Sequence, residues 1–502
     1  MKDIRRIAVA LIPIIVLVGM LAMDISVFGS DAILGASQVS LLVSSGVCVA
    51  LAMWLYKTPW KDFEEAIRTN VGNVTSAILI LLLIGALSGA WTVSGIVPTF
   101  IYYGLKIISP KVFLVSACVI CALVSLMVGS SWTTIATIGV ALMGIGRAEG
   151  FSDGLIAGAI ISGAYFGDKI SPLSDTTVMA SSVNRVPLFS HIRYMVITTV
   201  PSITIALVIF TILGLSHDAA PADQIARYSQ ALSGTFRLTP WLLVVPVVTA
   251  VLIAKKQPAL MVLALSTLLA IVFALVFQPD LVAGIGEKVT QGSRARIFFA
   301  GSVESIYNSV SLSTGNPEVD KLVATRGMLG MLNTIFLIIC GMCFGGCMRA
   351  SGMLGQISRI ILPLARRRFG LVSATVLTGT AFNGLVSDQY LSIILTSDIF
   401  GESYDRQGYE RRLLSRSVED SATVTSPLFP WSSCGMTQST ILHVPTLTYL
   451  PFCFFNWISP LMSMLIAALG YRIIHKSDRA QDNKPKTVDV NNRKAINLIR
   501  DL

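Results

Sequence analysis

Long apolar segments follow one another along most of this chain and constrain its fold more than any other feature. One of them, Ala259–Phe277, contains no charged side chain. An apolar run of about 18 residues or more can cross a bilayer as a helix. Only 13% of the 502 residues are charged, against about 25% in soluble proteins. The sequence therefore predicts an all-α polytopic membrane protein whose main partner is the lipid bilayer.

The first apolar run, Ile7–Met23, is interpreted as a retained span, because no clean small-residue cleavage site follows it. The net charge of +10 does not indicate nucleic-acid binding, since most basic residues lie in short loops between predicted spans. That distribution follows the positive-inside rule and predicts a multi-pass protein of the inner (cytoplasmic) cell membrane with both termini cytoplasmic. Lys106 and Lys111, on a segment predicted to be external, depart from it.

The chain contains an internal repeat. LVSAC at Leu114–Cys118 matches LVSAT at Leu371–Thr375, and the same spacing pairs Ser130 with Ser387. SPL occurs at Ser171–Leu173 and again at Ser426–Leu428, at nearly the same spacing. Several matches in one register indicate two related halves.

The sequence pattern predicts the same order of elements in both halves: two spans, an amphipathic loop, a third span, a short arm, a re-entrant hairpin, a proline-broken helix and a last span. Five crossings in each half invert the second half relative to the first, as in many secondary transporters. If the hairpins or arms span fully, the inversion fails. The predicted boundaries are 1–215 for the first half (hairpin about 112–147, broken helix about 152–180), 216–238 for an external connection, 239–473 for the second half (hairpin about 369–399, broken helix about 412–440) and 474–502 for a polar cytoplasmic tail.

A polar string, SGAYFGDKISPLSDTT at Ser162–Thr177, interrupts one membrane-grade helix. Ionisable groups at bilayer depth cost a few kcal/mol each, so such a cluster is a functional hypothesis by default. Pro172 removes a backbone hydrogen bond, and freed carbonyls with carboxylates and hydroxyls suit a small hard cation. The candidate cation- or proton-binding residues are Asp168, Ser171, Ser174, Asp175, Thr176 and Thr177. Lys169 has the alternative role of neutralising one carboxylate.

A second motif, LSRSVEDSATVTSPLFPW, and the two hairpin tips supply the other candidates. The motif contributes Glu419, Asp420, Thr423, Thr425 and Ser426, and the tips contribute Ser130, Ser131, Thr133, Asn383, Ser387 and Asp388. Adjacent Glu419 and Asp420 point in different directions on a helix, so we expect only one of them to face a cavity. The alternatives are that acidic residues here favour a helix start and that the hydroxyls bond within their own helices.

A carboxylate in this setting avoids a bare charge by taking a proton or by binding a cation. Competition between Na⁺ and H⁺ for one site couples their movements, because a carrier that changes sides only when occupied must exchange one for the other. More than one carboxylate lets the number of protons exceed the number of sodium ions.

The motifs GAYFGDKISPLSDTT, GNPEVDKLVATRGM at Gly315–Met328 and LSRSVEDSATVTSPLFPW resemble the NhaC family of Na⁺/H⁺ antiporters, and the resemblance runs from about Pro59 to Trp457. It implies a secondary active transporter that exchanges Na⁺ for H⁺, without a cofactor. The pattern of arms and hairpins also looks like the wider ion transporter superfamily, which implies an elevator-type scaffold plus transport domain and, as in many elevator carriers, a homodimer.

Three other interpretations stay open at this point. The resembled family includes malate/lactate antiporters, so an organic anion is an alternative substrate, with Lys169 the obvious fixed cation for its carboxylate. An intramembrane protease would need a catalytic pair, for which Asp168 and Asp420 are candidates, whereas hydroxyl-rich symmetric halves favour ion coordination. A channel has no need of carboxylates that trade a cation for a proton. The sequence thus favours a transporter over an enzyme.

Overall fold

The computed structural model describes residues 2–28, 35–217, 222–255, 257–361, 365 and 367–473. Within these ranges the regular structure is helical, and the β-structure consists of one isolated bridge between Val310 and Thr325. The predicted all-α class is confirmed. The predicted tail, 474–502, lies outside the described residues.

The helices of the first half are α1 (Lys2–Phe28), α2 (Ala36–Leu51), α3 (Trp60–Asn73), α4 (Thr75–Val93), α5 (Ile96–Ile107), α6 (Phe113–Val128), α7 (Ser131–Thr134), α8 (Val140–Ala148), α9 (Asp153–Ile170), α10 (Asp175–Val183) and α11 (Leu188–Leu215). A π-helical turn, Ile135–Gly139, joins α7 to α8, so that α6 and α7–α8 are the two arms of a hairpin. The arm helix α5 precedes this hairpin, and the pair α9 and α10 follows it.

The helices of the second half are α12 (Ala222–Thr235), α13 (Val244–Ala254), α14 (Ala259–Phe277), α15 (Pro279–Glu287), α16 (Arg294–Tyr307), α17 (Pro317–Leu322), α18 (Leu329–Ala350), α19 (Met353–Ile361), α20 (Arg368–Val386), α21 (Gln389–Arg406), α22 (Arg411–Val418), α23 (Ser433–Leu442), α24 (Thr446–Tyr449) and α25 (Phe454–Leu469). Here α20 and α21 form the hairpin. A π turn, Glu419–Thr423, extends α22.

Eight of the described helices are long and apolar enough to cross a membrane, and up to ten do so if each of two bent helix pairs is one span. Helices α9 and α22 are outside this set. They carry the two polar motifs, and the charged and hydroxyl side chains of these motifs lower the hydropathy of the helices. A Ser-Pro step follows each helix, at Ser171-Pro172 and Ser426-Pro427. Both helices are largely buried inside the protein, so their polar side chains face other helices.

Many of the helix contacts fall into two groups, although one continuous apolar core joins α4 and α14 to α6 and α9. In one group, the first hairpin, its broken helix and α11 pack against the second hairpin and α25, with contacts between α6 and α9, α9 and α25, and α10 and α21. In the other group, α2 and α3 pack on α18, and α4 packs on α14 and α16. Helix α18 also contacts α20 and α23, and α5 contacts α8. Both groups contain elements of both halves, so the packing units are not the sequence halves.

Both hairpin tips share one backbone plan, which corrects the predicted register of the repeat. Gly129 and Ser387 have left-handed φ values of 69° and 62°. The next residues, Ser130 and Asp388, are the N-caps of α7 and α21, and their side-chain oxygens accept backbone N–H groups of Thr133 and Leu391. Ser130 therefore corresponds to Asp388, and the predicted pairing of Ser130 with Ser387 is wrong by one residue. Sequence identity aligned two serines that occupy different steps of the same turn.

The 216–238 segment, predicted as a connection, contains helix α12. Its sequence, ADQIARYSQALSGT, is polar overall, yet Tyr228 and Leu232, one turn apart, are buried. Residues spaced by four lie on one helix face. A short amphipathic helix packed on the membrane-embedded bundle is easily mistaken for a loop, because its apolar positions are few.

Helices α6 and α9 approach closely at Gly163, which gives a first prediction. A Cβ atom at Gly163 would collide with the backbone carbonyl oxygen of Cys118 on α6, whereas one at Gly234 on α12 meets nothing within 4 Å. We expect Gly163→Ala to lower the thermal midpoint of unfolding in detergent clearly, because overpacking costs about 1–3 kcal/mol. Gly234→Ala should leave it unchanged or slightly higher. Equal midpoints for both variants would contradict the close helix contact.

Candidate functional site

The Asp168 carboxylate lies where the first hairpin tip meets the first broken helix. It is buried on the last turn of α9, and its Oδ2 accepts the Ser131 backbone N–H at 3.1 Å and the Ser131 hydroxyl at 2.7 Å. Ser131 occupies the first position of α7, directly after its N-cap. The N-terminus of a helix favours negative charge. The short helix α7 therefore presents one backbone and one side-chain donor to this carboxylate.

The chain stops being helical after Ile170 because a proline follows Ser171. A residue before proline is driven to extended backbone, and Ser171 has φ −76° and ψ 130°. The freed carbonyl of Lys169 accepts the Thr177 hydroxyl at 2.9 Å, and the Ser171 hydroxyl donates to the Leu126 carbonyl at 2.8 Å. The hydroxyls of Ser174 and Thr176 lie 3.0 Å apart. The break is thus a compact set of oxygen atoms beside Asp168.

The second hairpin tip meets the second broken helix in a similar way. Asp388 is buried, accepts the Leu391 backbone N–H at 2.9 Å and lies 3.5 Å from the Ser433 hydroxyl. Asn383 donates to the Ala422 carbonyl at 2.7 Å and to the Thr425 hydroxyl at 3.0 Å. These contacts hold the tip against the region where α22 gives way to α23.

Two contacts between the polar motifs join the halves. The Thr176 hydroxyl, in the first broken helix, donates to Glu419 Oε1 at 3.1 Å. Lys169 forms a fully buried ion pair with Asp420. The two adjacent carboxylates thus contact different partners, because neighbouring side chains on a helix point in different directions. Glu419 contacts Thr176, after the first helix break, and Asp420 contacts Lys169, before that break.

Tyr390, which was not predicted from the sequence, lies within electrostatic range of Asp168, Asp175 and Asp388. It is the second residue of α21, two positions after the Asp388 cap. Its position beside a charged hairpin tip is the one sequence signal that points to it. Carboxylates from both halves of the chain are therefore near this one tyrosine.

Other predicted candidates have local or exposed positions. The Thr133 hydroxyl bonds to its neighbour Ser130, and the Thr425 and Ser426 hydroxyls donate to carbonyls three or four residues earlier in their own chain. The Asp175 side chain is exposed at the start of α10. Back-bonding therefore describes part of the hydroxyl set, but Thr425 and Ser426 also contact Asn383 and Gln389 of the second hairpin. The contacts of Asp168 with Ser131 and of Thr176 with Glu419 likewise join separate elements.

The fold defines a polytopic membrane protein with buried carboxylates and hydroxyls gathered at two hairpin tips and two broken helices. The chain belongs to the Na⁺/H⁺ antiporter family, which its residues 4–185 and 163–471 match. This membership confirms the family that the motifs predict.

Three relatives illustrate the range of that family. The Na⁺/H⁺ antiporter NhaC of Bacillus subtilis is 35% identical over 86% of this chain and 91% of its own length. The malate-2H⁺/Na⁺-lactate antiporter of the same organism is 35% identical over 95% of this chain and 96% of its own. The arginine/ornithine antiporter ArcD of Halobacterium salinarum is 32% identical over 93% of both chains. All three are named as antiporters.

Proposed function

We propose that this protein exchanges Na⁺ for H⁺ across the cytoplasmic membrane as a secondary active transporter. The observation that carries the proposal is the Asp168 carboxylate. It is buried at a helix break and accepts hydrogen bonds from Ser131, and no ion pair to it occurs among the described residues. A buried carboxylate without a cation in the protein is neutralised by a proton or by a bound cation.

The transported ions compete for this carboxylate. Na⁺ is a hard cation that takes oxygen ligands. Asp168 has the hydroxyls of Ser131 and Ser174 within hydrogen-bonding reach, and the Thr176 hydroxyl lies 3.0 Å from that of Ser174. Protonation of Asp168 removes the charge that binds Na⁺, and Na⁺ displaces the proton. Glu419, joined to the same break through Thr176, is a second carboxylate whose proton would make the proton count exceed the sodium count. Asp388 and the hydroxyls of the second tip complete the proposed site.

The transport movement is proposed to be of the elevator type. The group containing both hairpins and both broken helices is the proposed transport domain, and the group built on α2, α4, α14 and α18 is the proposed scaffold. The matching turn geometry at Gly129–Ser130 and Ser387–Asp388 supports the proposal of an internal repeat, and the inversion of its second half remains a prediction. The cytoplasmic location of both termini and the homodimer remain predictions.

An organic-anion antiporter is the second candidate, because the malate/lactate relative is as similar to this chain as the NhaC relative. One observation weighs against the simplest form of it. Lys169, the residue expected to bind a substrate carboxylate, is fully buried and paired with Asp420. A lysine that already holds a buried counter-ion is poorly placed to accept another.

The direct test is Na⁺ uptake driven by a pH gradient. We expect proteoliposomes with an acidic lumen to accumulate ²²Na⁺ against its gradient with neither malate nor lactate present. One pH unit stores about 1.4 kcal/mol per proton, enough for about tenfold accumulation. Protein-free liposomes and collapse of the gradient with nigericin are the controls. A channel would not accumulate Na⁺, and uptake that starts only when malate or lactate is added would replace the proposal by the organic-anion alternative.

A further inference from the structure

Lys169 and Asp420 engage each other deep inside the helix bundle. Both side chains are fully buried, and their ion pair joins α9 to the π turn after α22. The Lys169 ammonium also donates to the Ser459 hydroxyl at 2.9 Å, and Asp420 Oδ1 accepts the Thr198 hydroxyl at 3.0 Å. The pair is therefore held by groups from four different elements and has no exposed edge.

A second buried cation shares the same carboxylate. Arg416 lies one turn before Asp420, with Nε 3.8 Å from Asp420 Oδ2, and its guanidinium carbon is 4.9 Å from the centre of the Tyr194 ring. Within the described part of the chain, its guanidinium nitrogens have no hydrogen-bond partner. Two fixed cations thus face one carboxylate, and the Lys169 charge cluster (Lys169, Asp420 and Arg416) carries a net positive charge.

This cluster adjoins the proposed ion site without sharing its ligands. Lys169 directly follows Asp168, and Asp420 directly follows Glu419, so the Cα atoms within each of these pairs are about 3.8 Å apart. Their side chains diverge: Asp168 meets Ser131 and Glu419 meets Thr176, whereas Lys169 and Asp420 meet each other. The charge of Lys169 also reaches Glu419. The side chains of the cluster are thus near enough to the ion site to influence it electrostatically while contacting other groups.

We propose that the Lys169 charge cluster is a fixed, affinity-determining element: it binds no transported ion, and its net positive charge sets how tightly the Asp168 site holds Na⁺. The inference rests on the Na⁺/H⁺ exchange proposed above. It assigns Asp420 as the counter-ion of two internal cations, and not as the cation ligand that its motif predicts. It also assigns Lys169 a role other than binding a substrate carboxylate.

The sign of each effect follows from charge. Asp420→Asn leaves two unopposed cations next to the site, which repel Na⁺ and raise the KM for Na⁺. Lys169→Gln removes one cation and leaves Arg416 with Asp420, which lowers that KM. A unit charge about 8 Å away at an effective dielectric constant of about 20 changes a binding constant by about thirtyfold. We therefore expect shifts of about tenfold or more in opposite directions.

The decisive variant is the double replacement Lys169→Gln/Asp420→Asn. It restores the net charge of the wild type, and its two amides can still form a hydrogen bond. We expect its KM for Na⁺, from initial rates of ²²Na⁺ uptake, to return to within about threefold of wild type. If Asp420 is a Na⁺ ligand, the double variant stays as weak as Asp420→Asn, which would overturn the proposal. Unchanged KM values with lower Vmax in all variants would also overturn it, leaving a purely structural role.

Removing one partner of a buried ion pair can prevent folding, so Arg416→Gln provides an independent test. It keeps the Lys169 pair intact and removes the excess positive charge, so the KM for Na⁺ should fall by about threefold or more. An unchanged KM in this folded variant would contradict the inference. A wild-type protein that shows no pH-driven Na⁺ uptake would instead remove the proposed function, which keeps the two failures distinct.

Discussion

Replacing Asp168 by asparagine is expected to abolish pH-driven ²²Na⁺ uptake, with a loss of at least about a hundredfold. The amide has the shape of the carboxylate and still accepts the Ser131 hydroxyl, but it carries neither the charge that binds Na⁺ nor an exchangeable proton. A carboxylate oxygen about 2.4 Å from a monovalent cation contributes about 7 kcal/mol at an effective dielectric constant of about 20. Even after partial compensation by neighbouring oxygens, the remaining loss exceeds about 3 kcal/mol, which corresponds to more than a hundredfold.

A matched control lies on the same helix. Asp153, in the first turn of α9, is partly exposed and pairs with Arg147 at 2.7 Å. Partly exposed ion pairs contribute about 1 kcal/mol or less, so Asp153→Asn should keep exchange close to wild type. Size-exclusion profiles and membrane yields of both variants would show that insertion is normal. If Asp168→Asn kept more than about a tenth of the wild-type rate, Asp168 would not be the coupling carboxylate.

The positions of the two polar motifs could be predicted because burying charge in a membrane is costly. Asp168 and Asp388 stand out as carboxylates in apolar surroundings, and the Ser171-Pro172 step predicts where α9 ends. Each of these inferences uses only a residue and its immediate neighbours. A few consecutive residues are enough to predict a helix break, and in the structure α9 ends at Ile170, directly before Ser171.

The contacts that join the halves could not be predicted in this way. Thr176 and Glu419 are 243 positions apart, and Lys169 and Asp420 are 251 apart. Helical periodicity gives the face on which a side chain lies, but not which distant helix packs on that face. The sequence therefore left Lys169 with two roles, as a counter-ion or as a receptor for a substrate carboxylate, and only the contact of α9 with the π turn after α22 distinguishes them.

Tyr390 shows a second limit. Nothing in the sequence separates it from an aromatic residue that packs in the core, because its proximity to Asp168 and Asp175 depends on how α21 packs against the first broken helix. The one-residue error in the repeat register has a related cause. A left-handed residue followed by an N-cap can be built from Gly-Ser or from Ser-Asp, so equivalent geometry does not require equal letters.

Replacement of Asp388 is expected to have the second large effect on transport. It can also separate two roles of this carboxylate, as a helix cap and as an ion-binding charge. Its side chain caps α21 by accepting the Leu391 N–H at 2.9 Å, which a structural role alone would explain. Asparagine caps a helix about as well as aspartate, whereas alanine loses about 1 kcal/mol. We expect Asp388→Asn to keep a wild-type thermal midpoint and still lose pH-driven ²²Na⁺ uptake by about a hundredfold, because the cap remains and the charge does not.

Asp388→Ala should lose both stability and transport, and Asn316→Ala supplies the matched control. Asn316 caps α17 through the backbone N–H groups of Glu318 and Val319, in a loop that carries none of the candidate ligands, so its loss should lower stability slightly and leave uptake intact. Full uptake by Asp388→Asn would mean that Asp388 serves only as a cap. In that case the second hairpin tip would contribute backbone geometry and no ion-binding charge, and coupling would depend on Asp168 and Glu419.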